Sequence, residues 1–342
     1  MRTFSRFCLI FIFTLLFSVS VFADAEQAKR AVSDYINSVA AEDIAPGYAN
    51  GEWFILAAAR SDIELKDSIF DGYYAKLCNT LKQNGGILSE RKYTEYSRTI
   101  IALTAIDKDP RDVGGYNLLE KLADLDAVKK QGVNGSIYAL IALDCGNYTI
   151  PQTQNGTQAT RALYIEHILS AQKADGGFAL SGESGDADVT AMALQALAKY
   201  RDDEKVNTAV EKALAWLSEN QLDDGGFATV GDATCESSAQ VLTALCALGI
   251  DPDTDESFIK NGHTICDNIL SYKTSGGFKH LKNAENADII ASEQAVYSLV
   301  AYIRANEGKT TLYSIKDEKS DISAAIMSWT EAFKTWQAAN EA

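Results

Sequence analysis

Hydrophobic positions along this chain follow two alternating helical patterns. One kind of segment is apolar on nearly every side and built from small residues, as in Val189-Thr-Ala-Met-Ala-Leu194-Gln-Ala-Leu197, Ser237-Ser-Ala-Gln-Val-Leu242-Thr-Ala-Leu245 and Gln294-Ala-Val-Tyr-Ser-Leu299-Val-Ala-Tyr302. The other kind is amphipathic, with apolar residues at steps of three and four (Ala209, Val210, Ala213, Leu214, Leu217) and charges on the remaining face. Amphipathic stretches fall near residues 26–40, 65–83, 115–129, 157–173, 204–220 and 255–272. No series of alternating positions reads as strands. Two helix types alternating six times predict an all-α chain. Small-residue helices crowd into an inner ring, and amphipathic helices surround it with their charged faces in water.

The alternation is a repeat of about fifty residues. Three amphipathic stretches end in a Gly-Gly-Phe turn: Gln172 to Phe178, Gln221 to Phe227, and Lys273 to Phe278, with a weaker copy at Gln83 to Ile87. Glycine pairs suit positions that need positive φ or close backbone approach after a helix. Aligning the small-residue helices on Leu56, Leu103, Leu140, Leu194, Leu242 and Leu299 gives six units spanning residues 26–313, with no separate domain left over. Six positions before each leucine stand Asn50, Ser97, Asn134, Asp188, Glu236 and Glu293. Residues of this kind suit the start of a helix, where they accept backbone N–H bonds and complement the dipole. Placed at one register, they gather around one mouth and give it negative potential, and their repulsion is expected to raise at least one pKa.

Gln-x3-Gly-Gly-Phe after an apolar helix resembles the QW-type repeat of squalene and other triterpene cyclases, with Phe in place of the terminal Trp. The helix pairing also resembles protein prenyltransferase β-subunits and the cobalamin carriers of the intrinsic factor group. All share an (α/α)6 toroid of six inner and six outer helices, the fold this resemblance implies for residues 26–313. That fold hosts cyclisation, lipid transfer and pure binding, so it does not by itself assign an activity.

Asp186-Ala-Asp188-Val-Thr190-Ala191 is similar to the Asp-x-Asp-Asp-Thr-Ala stretch of class II terpene cyclases. The resemblance places Asp188 on the proton donor and Asp186 on the first aspartate, and Val189 replaces the last one. Such chemistry needs a carboxylic acid kept protonated by its surroundings. The same stretch resembles the inner-helix starts of the cobalamin carriers. For the zinc site of the prenyltransferases, Asp232-Ala-Thr-Cys235 has the wrong spacing and no His follows at the next inner helix; His167 and His263 fall on outer stretches and His280 on a loop. Cys235-Glu236-Ser237 also lacks the Cys-Gly-Glu-Gln of thioester proteins with this fold. No metal and no other cofactor is expected. Tyr93, Tyr96, Tyr138, Tyr297 and Tyr302 lie on or beside inner segments, with Trp53 near the first. In a cyclase such rings would stabilise carbocations; otherwise they fill a wide ring that Ala and Gly cannot fill.

Residues 1–23 have the form of a signal peptide: Arg2 and Arg6 precede an apolar run from Phe7 to Phe22, and Val21-Phe22-Ala23 offers a cleavage site. Removing both arginines takes the formal net charge from −16 to −18. That charge opposes binding to nucleic acid or to anionic lipid. Cys78, Cys145, Cys235, Cys246 and Cys266 remain, an odd count that speaks against a full disulfide framework. A carboxyl-terminal amphipathic helix is expected over 319–338, packed on the toroid through Ile322, Ile326, Trp329, Phe333 and Trp336. These readings give an exported, secreted or cell-surface protein with no membrane span after cleavage. Its mouth, lined by Asn50, Asn134, Glu236, Glu293, Tyr93 and Tyr96, binds a small ligand (a corrinoid or an isoprenoid) or a protein. The alternative is a metal-free class II cyclase-like enzyme with Asp188 as general acid.

Overall fold

The computed structural model describes residues 25–47 and 49–316, and the leader and the 319–338 helix lie outside them. Helices alternate between two rings along the chain. The inner helices are α2 (Glu52–Arg60), α4 (Tyr93–Ala105), α6 (Val133–Cys145), α8 (Ala187–Leu197), α10 (Cys235–Leu248) and α12 (Ile289–Asn306). Between them run α1 (residues 25–38), α3 (Asp67–Gln83), α5 (Leu125–Lys129), α7 (Arg161–Leu169), α9 (Glu204–Asn220) and α11 (Ile265–Leu270). Each inner helix touches the next, and α12 returns to α2, so the inner ring is closed. The helical (α/α)6 architecture is that of the sequence reading, with two differences. The outer stretch near 115–129 is a 3-10 turn, Leu118–Leu122, followed by the short α5, and the one near 255–272 is likewise a 3-10 turn, Glu256–Phe258, then α11. Thr264 opens α11 with a capping box to Asp267, which starts the helix later than apolar periodicity alone suggests.

Apolar residues of the inner helices form the core together with the inward stripes of the outer ones, such as Val206, Val210, Ala213 and Leu217 of α9. Phe178, Phe227 and Phe278 of the repeat turn are fully buried, each contributing roughly 1.5–3 kcal/mol of hydrophobic stabilisation.

The repeat motif has a physical explanation at each position. Gln172 Nε2 donates to Gly176 O and to Ala209 O, both at 2.8 Å, and Gln221 Nε2 donates to Gly225 O and Phe258 O, both at 2.9 Å. One amide thus ties the end of an outer element to its own turn and to the next outer element. Asp175 and Asp224 accept the N–H groups of Gly177 and Gly226 at 3.1 Å. Gly176 takes φ +99°, and a Cβ on Gly177 would meet Gly185 Cα at 2.7 Å, so neither position tolerates a side chain without movement. Where Lys273 replaces the glutamine, a two-residue ladder, β3 (Lys273–Thr274) against β4 (Gly277–Phe278), closes the turn instead. A second hairpin of the same length, β1 (Ala228–Thr229) with β2 (Asp232–Ala233), stands before α10.

A hydroxyl on the fourth residue of three inner helices locks the phenylalanine in place. The N–H of Phe178 donates to Thr190 Oγ1 at 2.8 Å, that of Phe227 to Ser238 Oγ at 3.2 Å, and that of Phe278 to Ser292 Oγ at 2.7 Å. At the opposite end of the ring, residues 310–312 cross the helix C-termini. Arg60 donates to Leu312 O and Thr311 O and Arg304 to Thr310 O, so two buried guanidiniums are satisfied by carbonyls of this strap.

Candidate functional site

Because the inner helices run the same way, their N-termini meet at one mouth. Only three of the six residues chosen by the leucine alignment share a register there. Asn134, Asp188 and Glu236 are each the second residue of their helices. Ser97 and Glu293 are the fifth residues of α4 and α12, and Asn50 precedes α2 in a left-handed conformation with φ 50°. The hydroxyl locks set the true frame: Ser292 matches Thr190 and Ser238, so Leu299 lies one turn beyond Leu194 and Leu242. A three-residue slip keeps an apolar residue on nearly the same helix face, and for this reason the pattern did not reveal it.

Nor are those residues the caps. Asp186 caps α8, accepting from the Val189 N–H at 3.0 Å; Thr234 caps α10, and Asp288 caps α12 through the N–H groups of Ile290 and Ala291. Gly51 and Gly132 precede α2 and α6 without any side-chain cap. Asp188 is therefore free of capping duty. Its Oδ1 is buried without a hydrogen-bond partner, as are Asn134 Oδ1 and Thr229 Oγ1. Burial raises the Asp188 carboxyl above the ordinary range; nearby Asp186 adds to the rise, while the hydroxyls of Ser237 and Thr229 and the His280 ring partly offset it. The sequence expectation of a raised pKa at the mouth holds for Asp188, Glu236 and Glu293, but desolvation is the leading cause in all three, ahead of repulsion. Glu236 Oε1 lies 2.9 Å from His280 Nδ1, joining the loop before α12 to the start of α10. His263 stands in the turn before α11 rather than on a helix, and His167 of α7 pairs with Ser136 at 2.7 Å.

A second polar group lies across the mouth. Glu52 accepts from Arg98 Nε at 2.9 Å, from the Tyr73 hydroxyl at 3.0 Å and from the Gly47 N–H at 3.1 Å; Arg98 also pairs with Glu95. Glu293 Oε1 accepts from the Gly51 N–H at 3.2 Å, and burial pushes its carboxyl up to about 8, with the Glu52 charge adding to the rise. Asn50 accepts from the Tyr35 hydroxyl at 3.3 Å. Sequence reading missed Glu52 and Arg98. The signal was there: a charge set inside an otherwise apolar inner segment (Glu52 before Trp53-Phe54, Arg98 before Thr99-Ile100-Ile101) has to find a buried partner.

Aromatic side chains meet across the axis near the mouth. The Trp53 ring sits 5.7 Å from Tyr138 and 5.6 Å from Tyr297, bridging α2, α6 and α12. Tyr138 donates to Met192 Sδ at 3.0 Å, and Gln240 donates to the Tyr297 oxygen at 2.6 Å and to Gln294 at 2.8 Å. Tyr96, offered by its position as a ligand contact, is buried and bonds the turn at Leu88 and Ser89 through its hydroxyl, while Tyr93, half-buried, leans on it with ring centres 5.8 Å apart. Among the described residues the five cysteines are free, no cluster has the donors for a metal ion, and no helix is long and apolar enough to cross a membrane.

Residues 116–287 match the family model of the prenyltransferase alpha-alpha toroid domain, half of the chain, and the chain belongs to that family. No curated protein matches it. The family accounts for the rings and the repeat turns.

Proposed function

We propose that the chain is an exported binding module that holds its ligand at the N-terminal mouth of the inner ring and performs no chemistry on it. The carrying observation is the aromatic cluster across the axis: Trp53 meets Tyr138 and Tyr297 there, narrowing the space in which a cyclase would fold a polyene. The orphaned oxygens of Asp188, Asn134 and Thr229 support a site at the mouth itself, because buried polar atoms without partners are rare and expensive. Export rests on the leader at residues 1–23.

The raised Asp188 carboxyl favours one competing reading, a metal-free acid of the class II cyclase kind. The two readings separate in one experiment. Mature wild type and Asp188→Asn are incubated with squalene and shorter isoprenoids and the extracts examined by mass spectrometry, while melting temperatures are recorded against corrinoid, isoprenoid and peptide ligands. The expected result is no cyclic product from either protein and a raised melting temperature with one ligand class. A cyclic product made by wild type and lost in Asp188→Asn would establish the enzyme instead.

A further inference from the structure

Four large apolar side chains are exposed among the described residues: Ile87, Leu180, Val230 and Ile289. All four stand where the chain enters an inner helix, hence on the rim of the mouth, and three occupy the successive approaches to α8, α10 and α12. Leu180 is 56 % exposed and Val230 95 %. Val230 is also held at φ 54° at the tip of the β1–β2 hairpin, a conformation that a β-branched residue adopts only under strain. Nothing in the packing of the ring requires a valine there.

The same approaches and first turns carry Glu183, Asp186, Asp188, Asp232, Glu236 and Asp288, opposed chiefly by Lys279 and by Lys282, which is already paired with Asp224. We propose that this sector of the mouth docks a basic segment of another protein that also bears apolar side chains. The proposal rests on the mouth-binding reading above and names its partner. Charge complementarity selects the basic residues, and the exposed Leu180, Val230 and Ile289 select the apolar ones. Size selects a polypeptide. Neighbouring helices pack about 8–10 Å apart, so three successive approaches span about 16–20 Å, more than a small ligand covers but only about six residues of extended chain. An anionic lipid surface would be repelled by the acids.

The test uses the mature protein and three labelled peptides of equal length: alternating Lys and Leu, Lys with Ser, and Glu with Leu. Binding is read by fluorescence anisotropy at physiological salt. The Lys/Leu peptide is expected to bind at least about tenfold more tightly than either other peptide. Leu180→Ser combined with Val230→Asn is expected to weaken it by about tenfold, whereas Glu204→Gln with Glu211→Gln on the outer face of α9 leaves it unchanged. Asn tolerates the left-handed turn better than Val, so the rim variant keeps its fold, which a melting curve verifies. Equal binding of the Lys/Ser peptide, or indifference to the rim variant, would overturn the proposal. If all peptides fail while a corrinoid or isoprenoid raises the melting temperature of wild type but not of Asp188→Asn, the partner is wrong and the mouth reading stands. If no peptide and no small ligand binds, both fall together.

Discussion

Arg98 Nε lies 2.9 Å from Glu52 Oε2, and both side chains are buried where α4 meets α2. Two charges out of water need each other, because neither can regain its hydration. Removing one partner leaves the other stranded. Arg98→Ala is expected to cost about 3–5 kcal/mol in urea unfolding, whereas Glu52→Gln combined with Arg98→Met, which removes both charges, costs less than Arg98→Ala alone. A double variant less stable than the single one would mean that the pair itself supports the fold.

Thr190 belongs to the stretch that resembles a catalytic motif, yet its hydroxyl serves the repeat turn. Thr190→Val keeps the shape and leaves the Phe178 N–H buried without an acceptor, a loss of about 1–3 kcal/mol. Thr190→Ser keeps the hydroxyl and is expected to recover most of that stability. Melting of the three proteins side by side decides it; equal melting of Val and wild type would contradict the lock.

Asp186, and not Asp188, holds the cap that spacing assigned to Asp188. Asp186→Ala is expected to lose about 0.5–2 kcal/mol as a cap, and Asp186→Asn almost nothing. Asp188→Asn removes a desolvated charge and is expected to leave stability at neutral pH unchanged or slightly higher. Equal stability of Asp186→Ala and Asp186→Asn in chemical denaturation would contradict the cap.

The repeat turns, the two helix types and all six inner helices were legible because each depends on local pattern: glycine pairs, small residues and apolar spacing. The outer stretches near 115–129 and 255–272 were less so, because caps such as Asp124 and Thr264 cut the helices short inside a continuous apolar pattern. The site was legible only as a place. Asp188 and Glu236 could be set at the mouth, but the Glu52–Arg98 pair joins residues 46 positions apart, and the Glu236–His280 contact joins residues 44 apart. Such pairings are fixed by packing between neighbouring repeats, which no short window of sequence contains.

Glu293 gives the fold a pH dependence of known sign. Its folded pKa of about 8 lies above the ordinary 4.5, so the native state holds a proton that the unfolded chain releases between those values. This group's contribution to stability therefore falls as pH rises from about 4.5 to about 8 and is lost above that. Glu293→Gln cannot ionise and its amide oxygen can still accept from the Gly51 N–H. Relative to wild type, the variant is expected to gain melting temperature between pH 6 and pH 9. An unchanged difference across that range would mean that Glu293 titrates normally.

Methyl NMR of the mature protein titrated with the Lys/Leu peptide tests the central claim, that the rim of the mouth docks a basic, apolar segment. The account predicts shifts concentrated at Leu180, Val230 and Ile289, with the methyls of Ile63, Val300 and Ile303 at the opposite end of the ring unmoved. Shifts centred on those opposite residues, or none at the rim, would contradict it.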